Sequence, residues 1–270
     1  MSPTVIRIDD PDDPRIAAYR DIREADLVGR EGCFIAEGEV VLRMLLTASR
    51  HAPLSLLIAE KRIARLAPLL AAAPPGLPIY CAGQAVLDAI VGFPIHRGVL
   101  ALGRRAREPS AAELLAGLPD AALVLVLFGI ANHDNLGGLL RNAAAFGVGA
   151  VLLDPHCCDP LYRKAIRVSV GGALITPIAR LAQGEDAIDL LRAHDVVPVA
   201  LSPRGALRLI DLKRAPRTAL LLGAEGPGLA EDLIARAVAV SIPMSAGFDS
   251  LNVATTSGIA LHQLAFGSGV

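Results

Sequence analysis

The stretch "AALVLVLFGIANHDNLGGLLRNAAAFGVGAVLL", residues 121–153, decides the fold. It opens on a continuous apolar run, crosses a short polar loop, continues at helical spacing and closes on a second apolar run, "AVLL" (150–153). A strand that is apolar at every position has both faces buried, the condition of a parallel strand covered by helices on either side. Strand, helix and strand within about thirty residues make one parallel crossover unit.

Working outward from it, the alternation continues. Further strand candidates are "ALITPIA" (173–179), "VVPVAL" (196–201), "TALLLG" (218–223) and "VAVSIPM" (238–244). The spacing predicts helices that begin near Asn135, Leu161, Asp186, Leu229 and Ser250. Toward the N-terminus the runs are "CFIA" (33–36), "LSLLIA" (54–59), "LPIYC" (77–81) and "GVLAL" (98–102), separated by helical patterns. Between the two halves, "GRRAREPSAAELLAGLPD" (103–120) is charged, alanine-rich and proline-punctuated, and reads as a linker. The expected organisation is an α/β protein with a smaller N-terminal domain over 1–105, a linker over 106–119 and a parallel-sheet domain over 120–270.

Composition narrows the function classes. Of 270 residues, 53% are hydrophobic, only 3% aromatic and none is tryptophan, so the core must be built from Ala, Val, Leu and Ile. The formal net charge is −1, so a nucleic-acid partner would have to be met by a local patch or by shape. Arg20, Arg23, Arg43, Arg50, Arg104, Arg105 and Arg107 supply positive charge, offset by acids such as Glu24, Asp26, Glu31, Glu37 and Glu39. Four cysteines without a Cys-x-x-Cys spacing argue for reduced thiols and a cytoplasmic protein. "HCC" (156–158) is a poor zinc spacing, and no metal is expected. No uncharged apolar run reaches the roughly 20 residues that span a bilayer, so no membrane association is expected.

Ligands of open parallel sheets bind beyond the carboxyl ends of the strands, and three such ends are unusual here. In the first, Asn135 and Arg141 share a helix whose first turn holds Gly137 and Gly138. Two glycines at about 1 kcal/mol each against Ala suggest that something approaches the backbone closely. The second is "LLLGAEGPGLAEDLI" (220–234), where the lone acid Glu225 sits among Gly223, Gly226 and Gly228. The third is "SIPMSAGFDSLNVATTSGIALHQL" (241–264), where Ser250 is the expected N-cap and Asn252 the first turn.

In this order, "NHDNLGGLLRNAAAFGV", "LLLGAEGPGL" and "IPMSAGFDSLNVATTSGIALHQL" resemble the three motifs of the SpoU (TrmH-type) branch of the SPOUT RNA methyltransferases. "FIAEGEVVLRMLL" and "HRGVLAL" resemble, more weakly, that branch's N-terminal substrate-binding domain, a ribosomal-protein-like α/β/α unit. The resemblance implies a deep trefoil knot, against the general rule that chains do not knot. It also implies S-adenosylmethionine as cofactor, a homodimer, and methyl transfer to a ribose 2′-hydroxyl of structured RNA, with rRNA placed before tRNA.

On the same resemblance, Arg141 takes the catalytic position, and Asn135, Ser250 and Asn252 the polar active-site positions. Glu225 is expected to orient Arg141 or its neighbours. Backbone groups of Leu222, Gly223, Gly226, Ile242, Met244 and Leu251 are expected to contact the cofactor. The family assigns its arginine the proton-accepting role. A guanidinium with a pKa above about 12 and no spare lone pair is a poor base, so a phosphate clamp that lowers the hydroxyl pKa is the other possibility. His133 and Asp134 read as loop caps, and Arg163, Lys164 and Arg167 as either an RNA-facing or a solvated basic face.

Two other classes compete. A catalytically weak RNA-binding or assembly protein of the same fold would not need all five polar positions. A nucleotide-linked dehydrogenase would need Gly-x-Gly-x-x-Gly after its first strand, and "GAEGPG" has the wrong spacing and comes late in the chain.

Overall fold

The computed structural model describes residues 4–20, 28, 31–91, 98–245 and 250–267. Arg23, Glu24 and Asp26, the start of "HRGVLAL" and residues 246–249 of the third motif lie outside the described residues. The chain forms two compact units. One joins Met1–Arg107 with Pro160–Ile175, and the other joins Glu108–Asp159 with Thr176–Val270.

The first unit is built on a five-stranded mixed sheet. Its strands are β1 (Val5–Ile8), β2 (Cys33–Glu37), β3 (Ala52–Ala59), β4 (Ile79–Ala82) and β5 (Val99–Arg104), in the order β1-β4-β3-β5-β2. β1, β3 and β4 are parallel, and β5 runs antiparallel to both β3 and β2. Helices α1 (Glu39–Thr47), α2 (Glu60–Leu70) and α3 (Gln84–Val91) connect the strands. Ile8, Ile16, Tyr19, Leu57, Tyr80 and Leu87 share one buried cluster.

The same unit takes in α6 (Arg163–Val168) and α7 (Gly172–Ile175) from the middle of the chain. Glu37, buried at the end of β2, accepts a hydrogen bond from the Nε of Arg163 at 3.0 Å, lies 3.0 Å from its Nη2 as an ion pair, and stands 3.9 Å from Arg167. The basic face sketched from sequence is therefore partly committed to a buried acid. The strand expected over 173–179 divides into α7 and β8 (Ile178–Arg180). Val170 takes φ 54° and Gly171 φ 85°, which turns the chain sharply ahead of α7. "GALI" is apolar all round and reads equally as strand or buried helix.

The second unit carries a seven-stranded parallel sheet. Its strands are β6 (Ala122–Phe128), β7 (Ala150–Leu153), β8, β9 (Val197–Leu201), β10 (Leu207–Arg208), β11 (Arg217–Gly223) and β12 (Val238–Ser241), in the order β10-β12-β9-β11-β6-β7-β8. α4 (Ala111–Ala116), α5 (His133–Ala145), α8 (Ala187–Ala193), α9 (Glu231–Ala235) and α10 (Val253–Phe266) complete it. α4 lies inside the stretch expected to be a linker. Ser110 and Glu113 close a reciprocal capping box, and Ala111 and Leu115 join the core of Val124, Val126, Leu152 and Leu221.

Strand order reverses at β6: β7 and β8 lie to one side, and β11, β9 and β12 to the other. Such a switch point opens a crevice at the carboxyl ends. Phe128 and Gly223 are paired in register, so the loops after β6 and β11 emerge side by side. The α/β class with a parallel sheet is the one expected.

Candidate active site

Three loops meet at this switch point, and two helix caps fix their geometry. Asn132 caps α5, its Oδ1 accepting from the amides of Asp134 at 2.8 Å and Asn135 at 3.3 Å. The helix thus starts at His133, two residues before the expected start, and Asn135 is buried in its first turn. Asn252 caps α10, its Oδ1 accepting from Ala254 at 2.9 Å and Thr255 at 3.3 Å. The expected cap, Ser250, lies two residues upstream and is exposed. Ser and Asn are both good caps, and the turn of the chain selects Asn252.

The other half of the Asn252 side chain joins the loops. Its Nδ2 donates to Oδ1 of Asn135 and to Oε1 of Glu225, both at 2.9 Å. One amide therefore ties the ends of β6, β11 and the C-terminal segment together. It also explains the lone acid in a bare turn: Glu225 holds Asn252. Among the described residues Glu225 forms no ion pair with Arg141, a partner expected for it; the side chain it engages is Asn252. Arg141 is exposed and, among the described residues, makes no hydrogen bond or ion pair.

The turn around Glu225 is glycine for steric reasons. A Cβ on Gly223 would lie 2.2 Å from the backbone of Gly228, because the turn closes on itself, and Gly226 takes φ +88°. On α5 the explanation differs from the one expected. A Cβ on Gly138 would sit 2.6 Å from the Cβ of Ala254, so the group that approaches the helix closely is the protein's own α10.

Beside Glu225 opens a cavity of about 490 Å³. Leu222, Gly223, Gly226, Ile242, Met244 and Leu251 all line it, as do Glu225 and Ser250. Its volume falls within the ~300–1,000 Å³ of small-ligand sites, and its walls are mostly apolar with a few polar side chains among them. A bulky cofactor with a flat apolar ring and a polar tail suits such a chamber. Sequence reading missed Ser202, Pro203 and Arg204, which form another wall. The available signal was "SPRG", a turn directly after a strand at the carboxyl edge. Arg204 pairs with Glu231 near this wall.

The cysteines of the loop after β7 are engaged by the main chain around them. The Cys157 thiol donates to the Leu127 carbonyl and accepts from the Ile130 amide, both at 3.3 Å, and burial pushes it up to about 12. Burial likewise raises Cys158, to about 11. Arg180 gathers the carbonyls of Asp154, Cys157 and Cys158, which anchors the loop after β7.

The family model described as the SpoU rRNA Methylase family matches residues 122–262, from the first residue of β6 into α10. The chain belongs to the SpoU rRNA methylase family. It is thus an RNA methyltransferase, and the matched span encloses all three loops. An uncharacterised tRNA/rRNA methyltransferase of Mycobacterium bovis is 44% identical over 94% of this chain and 89% of its own. The 23S rRNA (guanosine-2′-O-)-methyltransferase RlmB of Escherichia coli is 32% identical over 74% of this chain and 84% of its own. In fold, this SpoU chain matches an AdoMet-bound rRNA methyltransferase from Sinorhizobium meliloti with a TM-score of 0.79, at 23% identity, over 96% of this chain and 97% of that one.

Proposed function

We propose that this chain transfers a methyl group from S-adenosylmethionine to a ribose 2′-hydroxyl of rRNA. The observation that carries the reading is the Asn252 amide, which joins Asn135 to Glu225, a residue of the cavity wall. The printed name of the Escherichia coli relative, a guanosine-2′-O-methyltransferase of 23S rRNA, supports the ribose and the rRNA. The AdoMet-bound relative of the same fold supports the cofactor.

S-adenosylmethionine supplies a methyl group on a sulfonium, an electrophile that needs no further activation. The protein's own work is to hold, align and move a proton. Leu222, Ile242, Met244 and Leu251 wall the cavity, and Gly223 and Gly226 leave main-chain groups uncovered. Asn135, Ser250 and Asn252 orient the ribose with neutral donors and acceptors, and Glu225 holds Asn252 in place. Arg141, exposed and without a protein partner among the described residues, clamps the target phosphate and lowers the pKa of the neighbouring hydroxyl. Its fixed fork suits a phosphate, and its lack of a lone pair disfavours it as a base.

Residues 1–107 are assigned to the RNA and the parallel-sheet unit to the cofactor. The second copy of a homodimer is assigned to an apolar face of the second unit. Ile210, Ile259 and Phe266 are exposed there, with Phe146, Leu209 and His262 nearby. The return of the chain from β12 to α10, which packs beside β11 and α5, suits a trefoil knot. An rRNA substrate makes the setting cytoplasmic. Mapping 2′-O-methyl sites in rRNA from cells with and without this chain tests the reading. Loss of one ribose methylation in rRNA supports it; an intact rRNA pattern with a lost tRNA site moves the substrate to tRNA; no change in any RNA overturns it.

A further inference from the structure

Asn142 follows Arg141 on α5 and has no part in the reading above, yet its side-chain nitrogen is engaged. Its Nδ2 donates to the main-chain oxygen of Ala254 at 2.7 Å and to Oγ of Ser257 at 2.8 Å. Ser257 is fully buried, and its hydroxyl donates to the same Ala254 oxygen at 2.8 Å. Both N–H groups of the amide are spent within this triangle. Small residues make the approach possible. The methyl of Ala254 lies over Gly138, and a Cβ on Gly258 would stand 3.3 Å from the Asn142 Nδ2.

Asn135, Gly138 and Asn142 lie at i, i+3 and i+7, one stripe of α5. That stripe meets Asn252, Ala254 and Ser257 at the start of α10. The clamp therefore joins the residue that follows Arg141 in sequence to the carbonyl two residues after Asn252.

We propose that Asn142 is a positioning residue for methyl transfer: it locks α5 against the first turn of α10, so that Arg141 and the Asn135–Asn252–Glu225 network keep their spacing. This rests on the reading of those residues as the catalytic site. Asn142 touches neither substrate nor cofactor and acts through its neighbours. A displacement of about 1 Å at reacting groups costs on the order of 100-fold in rate, so loosening one helix pair is enough to be seen.

The test is single-turnover methyl transfer to an unmodified 23S rRNA transcript, with S-adenosylmethionine affinity by calorimetry and melting by circular dichroism. Asn142→Asp keeps the shape but turns an oxygen toward the Ala254 carbonyl. Its rate at saturating RNA is expected to fall about 30-fold or more, with cofactor affinity within about threefold. The deficit should narrow as pH rises, because hydroxide replaces what a misplaced Arg141 no longer promotes. Asn142→Ser, which can still donate one bond, should recover part of the rate. Arg141→Ala is run in parallel. If it is inactive while both Asn142 variants match the parent, the positioning proposal is overturned and the site reading stands. If Arg141→Ala is fully active, the site reading itself fails; if the parent methylates tRNA and not the transcript, the same comparison of variants is read on tRNA. A loss confined to RNA or cofactor affinity, or one that follows the unfolded fraction equally at every pH, also overturns the positioning role.

Discussion

Asn252 serves two masters, and a single substitution separates them. Asn252→Asp retains an oxygen for the Ala254 and Thr255 amides, bonds of 2.9 and 3.3 Å, so the helix cap survives. The donor to Asn135 and Glu225 becomes an oxygen, and two bonds of 2.9 Å are lost. Each is worth about 0.5–1.5 kcal/mol net. A second carboxylate close to Glu225 adds repulsion of about 1 kcal/mol, the water-like figure, because both residues are exposed. The aligned arrangement is therefore disfavoured by about 2–4 kcal/mol, or roughly 30- to 1,000-fold in rate at 1.36 kcal/mol per decade. Melting should fall little, since the new side chain can swing into solvent. The sign of the pH effect follows. Two adjacent carboxyls favour sharing a proton, which restores a donor, so the deficit against the parent should shrink on acidification. Asn252→Ser, which keeps a cap but adds no charge, should show a smaller, pH-independent loss. The assay is single-turnover transfer to rRNA across pH with melting in parallel. Equal activity of the Asp and Ser variants at all pH values would refute the bridging role.

Gly138→Ala should destabilise the second unit despite the better helix propensity of alanine. The new methyl would meet that of Ala254 at 2.6 Å, and overpacking of about 1–3 kcal/mol exceeds the ~1 kcal/mol propensity gain; urea unfolding reads the difference, and Ala254→Gly should rescue it. Glu37→Ala removes the buried carboxylate that accepts from the Nε of Arg163 at 3.0 Å and should lower the stability of the first unit, seen as an earlier melting transition. Ile259→Glu places a charge on the apolar face of α10 assigned to the proposed homodimer, and sedimentation at micromolar concentration should then show a dimer for the parent and a monomer for the variant. An unchanged dimer would remove that face from the interface.

What was legible in the sequence follows from burial. β6 and β11 are apolar at nearly every position because the sheet is covered on both faces, and their runs were read almost to the residue. β1, "VIRI", is partly exposed and β10 is two residues long, so neither leaves a pattern. The capping box at Ser110 and Glu113 marked α4, but charge and proline around it read as linker. The polar residues drawn together were named from motif and position. Their partners were not, since spacing cannot say that Asn252 rather than Ser250 faces Asn135. Asn142 was illegible for the same reason. A polar residue after an arginine reads as helix surface, and its use depends on a helix 112 residues later that Gly138 allows to approach.

The most direct test of the central claim is mass-spectrometric mapping of an unmodified 23S rRNA transcript after incubation with the full chain and S-adenosylmethionine, with Arg141→Ala alongside. The account predicts one added methyl group on a single ribose, recognised by an alkali-resistant linkage at that nucleotide, and its loss in the variant. A methyl on a base, with the ribose linkage still cleaved by alkali, or an undiminished ribose methylation by Arg141→Ala, would contradict it.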